Sequence, residues 1–405
     1  MYILLPSGLR LPIPDGLGTV ADLKAHLETE TGYPPFLQNL FLGRREIDDA
    51  EVLASLPPGT EIRFIVAAGM APAKPRKRLR NRVRRYLGTI FPARKRSVAR
   101  LDIEAFRAPL EITVGPPDDK SAPQQRETAQ HFFDAFETGR QDRLDRIRRA
   151  CRELDGGPVV VSMFNWGYRQ LLENWAASCD RHNIACREFT LLFPTDARAD
   201  EFARNLGFRT IFSERIYGEI PVEASGEFGD QIFRRILFAK LAMTKDMLDL
   251  GVDILRQDID MVWSRDPRPD LVRRAGKANL DMLFMFDGPN RLHAPLHYNS
   301  GFVFIRSNPY SRHAWDVVFS NYLKVLRGGG EQWLINFVMN ALHERGLRTG
   351  RLPEDIYVNG HVISRFLNDN VPLPDNPAVV HVSWTSDITV KLEHMKRFGF
   401  WYLQS

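Results

Sequence analysis

The sequence predicts an α/β protein whose main domain contains a doubly wound, mostly parallel sheet. Three observations support this fold class. From Val159 onwards, segments of strand length alternate with longer segments of helical periodicity. The first strand-like segment is apolar on both faces, as in a sheet that helices cover on both sides. Finally, a chain of 405 residues with 44% hydrophobic residues can bury a large core.

The segment Met1–Val66 has a smaller pattern of its own. Two strand-like runs precede Thr19, which is a favourable N-cap for a helix over residues 20–31, and the strand-like Asn39–Leu42 and E-I-R-F-I-V follow. This order is that of a β-grasp. The run T-V-A-D-L-K-A-H-L-E-T-E-T-G-Y-P-P-F-L-Q-N-L-F-L-G-R-R-E-I-D-D resembles ubiquitin almost element by element. The resemblance implies a ubiquitin-like β-grasp domain over residues 1–68.

The end of this segment departs from ubiquitin. A-A-G-M (Ala67–Met70) stands in place of an exposed di-glycine tail, and the chain continues. The resemblance therefore implies an interaction or folding module, and not a conjugated modifier. A protein-binding surface around Leu40 and Phe41 is one expectation, and a purely structural domain is the other.

Residues 69–126 are expected to form a linker, because they are rich in proline and charge and poor in core residues. The stretch Lys74–Arg100 contains no acidic residue, so the rest of the chain is slightly acidic although the net charge is +5. Such a basic run could contact nucleic acid, anionic lipid or a localisation receptor. A solvated linker is the preferred interpretation, and no nucleic-acid partner is expected.

The third predicted domain covers residues 127–405 and begins with an amphipathic helical lead-in up to Cys151. The predicted order that follows is strand Val159–Asn165, helix Gly167–His182, strand Glu188–Phe193, helix Thr195–Leu206, strand Thr210–Phe212 and helix Gly226–Leu250. Repeated β then α describes half of a doubly wound domain. Ligands of such sheets bind at the carboxyl ends of the strands, where Asn165 stands.

The next strand carries the clearest chemical signal, in L-G-V-D-I-L-R-Q-D-I-D-M-V-W-S-R-D-P (residues 250–267). Asp258 and Asp260 are one residue apart at the end of a buried strand, so both carboxylates face the same side. Two hard oxygen ligands aimed together suit Mg²⁺ or Mn²⁺, which commonly bind one or two carboxylates and substrate phosphates. A D-x-D pair alone is a short motif, and a structural pair at a strand end is the alternative.

Other features exclude several classes of protein. The three cysteines have no spacing typical of zinc ligands or of a disulfide framework, so reduced thiols are expected. No apolar run approaches the length of a membrane span, and the N-terminus lacks the pattern of a signal peptide. We therefore expect no membrane span and a cytoplasmic location by default.

Three motifs taken together resemble one family. V-V-V-S-M-F-N-W-G-Y, F-A-K-L-A-M-T-K-D-M-L-D-L-G-V-D-I-L-R-Q-D-I-D-M-V-W-S-R-D-P and Y-N-S-G-F-V-F-I-R-S are similar to the nucleotide-diphospho-sugar transferases of glycosyltransferase family seventy-seven. The resemblance extends over about residues 157–402 and keeps the order of the motifs. It implies a GT-A fold. It also implies residence in the Golgi, where this family usually works.

The resemblance implies a role for each site residue. It implies that Mn²⁺ or Mg²⁺ is bound by Asp258, Asp260 and His381, and that a catalytic role belongs to Asp258, Asp260, Glu331 and Gln332. It implies contact with the nucleotide by Asn165 and Lys240, and contact with the sugar by Asn299, Ser300 and Gly301. Neutralisation of the diphosphate is expected of Lys391 or Lys396. A glycine at 301 allows close approach to a ligand, and the side chains before it can bond sugar hydroxyls. The family usually has Asp-Gln where this chain has Glu331-Gln332, which puts the contact by Glu331 in doubt.

The implied reaction is metal-dependent transfer of a monosaccharide from a nucleoside-diphosphate sugar to a hydroxyl of a glycan or protein acceptor. Uridine is the commonest nucleoside of the family, and retention of anomeric configuration by front-face displacement is expected. Two alternatives stay open. D-I-D-M-V also resembles the motif of phosphatases that form an aspartyl-phosphate at the position of Asp258. The chain could also be a non-catalytic adaptor that binds nucleotide sugar and recruits protein partners through its ubiquitin-like domain.

Overall fold

The computed structural model describes two sets of residues. Near the N-terminus these are residues 2–4, 10–13, 17, 19–31, 38–42, 45–46 and 61–66. In the rest of the chain they are residues 102–110, 112, 122–212, 220, 231–290, 296–326, 330–369, 371–384 and 388–403. The chain divides into two compact units, one of residues 1–97 with 288–295 and one of residues 98–287 with 296–405. The basic run Lys74–Arg100 lies outside the described residues.

The first unit contains a five-stranded sheet and one helix. Its described elements are β1 (Tyr2–Leu4), β2 (Arg10–Pro12), α1 (Val20–Thr31), β3 (Gln38–Leu42), β4 (Arg45–Glu46) and β5 (Glu61–Val66), and the strand order is β2-β1-β5-β3-β4. Thr19 and Asp22 cap the helix reciprocally, since each backbone N–H donates to the other's side chain. Leu40 is completely buried, so the expected binding surface around it is wrong at that residue. The ubiquitin-like assignment itself stays a prediction.

The second unit contains the larger set of elements. Its strands are β6 (Val159–Phe164), β7 (Thr190–Pro194), β8 (Arg209–Thr210), β9 (Ile254–Gln257), β10 (Met261–Trp263), β11 (Met282–Phe286), β12 (Tyr298–Ile305), β13 (Thr349–Arg351), β14 (Tyr357–Val358) and β15 (Val379–His381). Its helices are α2 (Ile103–Phe106), α3 (Ala122–Glu137), α4 (Arg140–Arg152), α5 (Arg169–Arg181), α6 (Ala197–Asn205), α7 (Gln231–Asp249), α8 (Arg268–Ala278), α9 (Pro309–Ser320), α10 (Tyr322–Lys324), α11 (Gly330–His343), α12 (Gly360–Asp369) and α13 (Ile388–Arg397). Over the described residues, the strands and helices predicted between Val159 and Leu250 are confirmed, with ends shifted by a few residues; residues 226–230 of the last predicted helix lie outside them.

The large sheet confirms the predicted α/β class. Among the described strands its order is β13-β11-β12-β9-β6-β7-β8. Strands β9, β6, β7 and β8 run parallel, and β11 runs parallel to β13. Only β12 runs antiparallel to both of its neighbours, β9 and β11. The sheet is therefore mostly parallel.

Apolar residues cover both faces of this sheet, as the continuous apolar strands predict. Along β6, Val159 and Val161 belong to one core cluster, while Val160 and Phe164 belong to the other. Helices α3, α7, α9 and α11 supply residues to the first cluster, and α5, α6 and α8 to the second. Burial on both faces explains why these strands lack the polar alternation of a half-exposed sheet.

A small second sheet positions one site residue. Its order is β10-β15-β14, and Met261 of β10 pairs directly with His381 of β15. Because β10 begins just after Asp260, this pairing brings His381 beside the acidic motif. The register thus joins residues that are far apart in sequence.

Part of the expected linker packs as core of the second unit. Phe106 is completely buried and Ile112 is nearly so, both in the first cluster. Arg345 donates to the carbonyl oxygens of Phe106 and Pro109, at 3.4 and 3.1 Å. These contacts tie residues 102–112 to the C-terminal end of α11. Among the helices described, none combines the length and the apolar character that a bilayer crossing requires.

Candidate functional site

Two carboxylates and one imidazole converge where β9, β12 and β15 meet. One ligand atom each from Asp258, Asp260 and His381 lie within 4.8 Å of one another. Nε2 of His381 is 3.3 Å from Oδ1 of Asp260 and 3.8 Å from Oδ2 of Asp258. Octahedral ligands about 2.1 Å from an ion are roughly 3.0–4.2 Å apart, so the two separations from His381 fit a small divalent cation. The three predicted metal ligands are thus brought together.

Gly301 shapes this cluster from the neighbouring strand β12. The backbone N–H of Asp258 donates to the carbonyl oxygen of Gly301 at 2.7 Å. A Cβ at position 301 would lie 2.3 Å from Cε1 of His381 and 2.7 Å from Oδ2 of Asp258. Only glycine leaves room for both side chains, and this close approach supports a metal site. The need for space, and not an unusual backbone conformation, therefore explains why this residue is a glycine.

Each aspartate also forms an ion pair with one lysine. Nζ of Lys240, on α7, is 2.6 Å from Oδ1 of Asp258. Nζ of Lys391, on α13, is 2.6 Å from Oδ2 of Asp260. Lys396 does not join the cluster through any described contact; its Nζ lies 5.5 Å from the ring centroid of Trp401. Of the two lysines predicted to neutralise diphosphate, the structure brings only Lys391 to the aspartates.

These ion pairs shift the pKa values of their members. Burial alone would raise the pKa of Asp260, but Lys391 and His381 hold it below its usual value. Burial and Asp260 would raise the pKa of Asp258, yet Lys240 lowers it below its usual value. Burial would lower the pKa of Lys240, which Asp258 and Glu331 raise. Both aspartates are therefore ionised at neutral pH, as metal ligands must be.

Glu331, at the start of α11, is buried beneath the cluster. Its Oε1 is 2.9 Å from Nζ of Lys240 and accepts from Nη2 of Arg256 at 2.6 Å. The Arg256 side chain has no exposed surface and points from β9 to the same face as Asp258. Glu331 therefore pairs with two buried cationic side chains, Lys240 and Arg256. Because Lys240 also pairs with Asp258, only this lysine separates Glu331 from the metal cluster.

An acid that sequence reasoning missed, Asp287, organises the predicted sugar-contact residues. It follows β11, and its Oδ1 accepts from Nδ2 of Asn299 at 2.8 Å while its Oδ2 accepts from Nε2 of Gln332 at 2.8 Å. The amide oxygens of these two residues accept in turn from the backbone N–H groups of Gly301 and Ser300, at 2.9 and 3.0 Å. Asp287 follows an apolar strand as Asp258 does, and this signal could have identified it.

At the neighbouring strand end, Asn165 is completely buried and Trp166 is partly exposed. The backbone N–H of Trp166 donates to Oδ2 of Asp196 at 2.8 Å. The guanidinium carbons of Arg169 and Arg198 lie 4.4 and 4.2 Å from its ring centroid. The predicted nucleotide contact by Asn165 stays a prediction; the partly exposed residues at this strand end are 166–169.

A family described as nucleotide-diphospho-sugar transferase matches residues 186–395, just over half of the chain. The β-arabinofuranosyltransferase RAY1 of Arabidopsis thaliana is 23% identical over 257 residues, which cover 60% of this chain and 47% of RAY1. The chain thus spans about half the length of this curated relative.

Among solved structures, the galactosyltransferase LgtC in complex with donor and acceptor sugar analogues has a TM-score of 0.40 at 13% identity, covering 61% of this chain and 97% of LgtC. The glycosyltransferase GlyE of Streptococcus pneumoniae has a TM-score of 0.38 at 15% identity, covering 62% and 65%. Because these scores are low, the assignment depends on the family match. The chain belongs to the nucleotide-diphospho-sugar transferase family.

Proposed function

We propose that this protein transfers a monosaccharide from a nucleoside-diphosphate sugar to an acceptor hydroxyl, with a divalent cation, Mn²⁺ or Mg²⁺, as cofactor. The observation that carries the proposal is the convergence of Asp258, Asp260 and His381 at a sheet edge, with ligand atoms within 4.8 Å of one another. The glycine that makes room for them, Gly301, adds support. We further propose a uridine nucleotide as donor, the commonest nucleotide in the family.

The cation would neutralise negative charge that develops on the leaving diphosphate. The chain's own residues contribute to the same task. Lys240 pairs with Asp258 and Lys391 with Asp260, so each ammonium group would be able to exchange its carboxylate for a phosphate oxygen. Asp258 and Asp260, ionised because their pKa values are low, remain available as ligands.

The donor sugar would lie over the amide network next to this cluster. Asn299 and Gln332 are each held at both ends of their amides, by Asp287 and by backbone N–H groups. Such groups are oriented before substrate arrives, which is how hydrogen bonds discriminate among sugar hydroxyls. An acceptor hydroxyl of a glycan or protein would approach from the open side of the sugar.

We propose retention of anomeric configuration by front-face displacement, in which a phosphate oxygen of the leaving group takes the acceptor's proton. The carboxylates next to Gln332 support this assignment. Asp287 accepts two amide N–H groups, and Glu331 is fixed by Lys240 and Arg256. Asp287 is thus bonded through both of its oxygens and offers no free nucleophilic oxygen, whereas Glu331 is held through Oε1 alone and its Oε2 is buried without a hydrogen-bond partner.

Family membership argues against the aspartyl-phosphate phosphatase alternative. The position of the motif argues in the same direction. Asp258 follows β9, which is fourth in chain order in the large sheet, whereas the phosphatase motif is expected after the first strand. The adaptor alternative remains a distinct outcome of the experiment below.

The test measures release of nucleoside diphosphate from a panel of UDP-sugars with Mn²⁺. Wild type is compared with Asp258→Asn and Asp260→Asn, and Asp145→Asn on the exposed face of α4 serves as the matched control. We expect metal-dependent release by wild type and control, and a loss of at least about 100-fold in both site variants. Equal rates in all four proteins would refute the assigned site. Tight nucleotide-sugar binding without turnover would support the adaptor.

We also propose that residues 1–66 form a ubiquitin-like module that contacts a protein partner. The strand order β2-β1-β5-β3-β4 with one helix supports a β-grasp. The test replaces surface residues of this module one at a time, leaving the buried Leu40 unchanged, and measures capture of the partner by pull-down. Loss of capture confined to one patch would locate the binding surface. Equal loss of capture from replacements on unrelated faces would contradict a specific surface. Residence in the Golgi stays a prediction, testable by microscopy of the tagged chain.

A further inference from the structure

A tryptophan with an unusual backbone conformation lies beside the candidate sugar site. Trp384 has φ of 67°, in the left-handed region. Of the described residues other than glycine, only Asn183 and Asn279 share a positive φ, and asparagine tolerates it. For a bulky aromatic residue this conformation is strained. Strain of this kind persists where the surrounding structure enforces it, often at functional sites.

The turn after β14 holds Trp384 in place. A Cβ at Gly360 would lie 2.7 Å from Cγ of Trp384 and 2.5 Å from the carbonyl oxygen of Ser383, so glycine is needed for this approach. The backbone N–H of Gly360 donates to Oγ of Ser383 at 2.9 Å. The ring of His361, whose Nδ1 is 2.8 Å from Oε1 of Glu354, packs 5.7 Å from the Trp384 ring.

The indole reaches the acid that organises the sugar-contact residues. Nε1 of Trp384 donates to Oδ1 of Asp287 at 3.0 Å. The same oxygen accepts from Asn299, and the other oxygen accepts from Gln332. Asp287 thus accepts three hydrogen bonds, and the indole N–H is the one that comes from outside the amide pair, so it helps to hold the carboxylate in the orientation that both amides need.

This network continues to the metal cluster. The amide oxygen of Asn299 accepts from the backbone N–H of Gly301. Gly301 in turn contacts Asp258 through its carbonyl oxygen and leaves room for His381. Trp384 is three residues after His381 in the chain, but the contacts described for its side chain are with Asp287, His361 and Gly360.

We propose that Trp384 is a positioning residue for the donor sugar. Its strained backbone directs the indole N–H to Asp287, which holds the amides of Asn299 and Gln332 in the orientation that receives the sugar. This inference rests on the proposed function and goes beyond it. It assigns the positioning of the sugar to a residue whose side chain has no part in binding the diphosphate. Removal of the indole N–H therefore affects the sugar step and spares nucleotide binding.

The experiment compares wild type, Trp384→Phe and Trp384→Asn. Phenylalanine keeps an aromatic ring and removes the N–H donor. Asparagine tolerates the left-handed backbone and removes both the ring and the indole N–H. If Trp384→Asn fails to fold, Trp384→Phe alone decides the test. Trp401→Phe makes the same chemical change at a half-buried tryptophan outside the network. The readouts are the melting temperature, the Kd of UDP with Mn²⁺, and kcat and KM for release of UDP from UDP-galactose and UDP-arabinose.

For both Trp384 variants we expect a Kd for UDP within about twofold of wild type, and a fall in kcat of roughly 10- to 100-fold, the loss of one hydrogen bond to a charged group. Trp401→Phe should match wild type in both. Unchanged kcat in Trp384→Phe, or a parallel loss of UDP binding and melting temperature, would overturn the positioning role. A wild type that neither binds UDP nor releases it from any sugar would overturn the proposed function, and this inference with it.

Discussion

The backbone N–H of Asp258 donates to the carbonyl oxygen of Gly301 at 2.7 Å. The side chains of Asp258 and His381 occupy the space that a Cβ at position 301 would take. Strand pairing between β9 and β12 thus determines the geometry of the metal cluster. A change that leaves every ligand in place can still disrupt this geometry.

Gly301→Ala should therefore lose metal binding. The added Cβ would lie 2.3 Å from Cε1 of His381, so the ring must move. We expect Mn²⁺ affinity to fall at least about tenfold, or roughly 1.4 kcal/mol, measured by calorimetric titration. Gly276→Ala, in α8 with open space at its Cβ, is the control and should bind Mn²⁺ as wild type does. Unchanged affinity in Gly301→Ala would contradict the close approach.

Lys240→Met should have opposite effects on metal binding and on turnover. The ammonium of Lys240 competes with a cation for Oδ1 of Asp258, so its removal should tighten Mn²⁺ binding in the absence of nucleotide by about three- to tenfold. Turnover of a sugar nucleotide should fall by about 30- to 100-fold, because one positive charge on the diphosphate is lost. Lys245→Met, on the same helix but paired with Asp249 and Asp316, is the control. Weaker Mn²⁺ binding in Lys240→Met would refute the competition.

Arg256→Met tests the buried pair with Glu331. The Arg256 side chain has 0% and Glu331 4% of its surface exposed, and breaking a buried pair on one side costs about 3–5 kcal/mol. Urea unfolding should show this loss. Arg148→Met removes an exposed partner of Asp145 and should cost at most about 1 kcal/mol. Equal losses in the two variants would mean that the buried pair contributes no more than a surface pair.

Much of this site could be predicted from local sequence, and the rest could not. Asp258 and Asp260 were found because two-residue spacing on a strand places both on one side. Family resemblance added His381, Asn299 and Gln332, which the structure brings to the same region. The role of Arg256 has no local sequence signal, since its partner Glu331 lies far along the chain.

Two further residues depended on non-local structure. Asp287 reaches Asn299 because the register of β11 against β12 pairs Met285 with Asn299, and that register is not visible in the sequence. The left-handed backbone of Trp384 requires the space left by Gly360, the first residue of α12. Part of the expected linker also proved to be core, since Phe106 packs against α9 through Tyr310.

The pair of Lys391 with Asp260 should make stability depend on pH below about 4. The folded-state pKa of Asp260 is lowered, so its contribution is complete above the unfolded pKa of about 3.9. As the pH falls below that value, the unfolded chain binds the proton first, and the contribution declines by about 1.4 kcal/mol per pH unit. Lys391→Met should therefore destabilise the protein clearly at pH 7 and less at pH 3, measured by urea unfolding. An equal difference at both pH values would contradict the lowered pKa.

The most direct test of the central claim is a titration of Mn²⁺ followed by electron paramagnetic resonance, with wild type, Asp258→Asn, Asp260→Asn, His381→Gln and the control Asp145→Asn. The three-ligand site predicts one Mn²⁺ per wild-type or control chain and at least about tenfold weaker binding in each of the three site variants. Mn²⁺ binding that is the same in all five proteins, or absent from wild type both with and without UDP, would contradict a cation held by these residues.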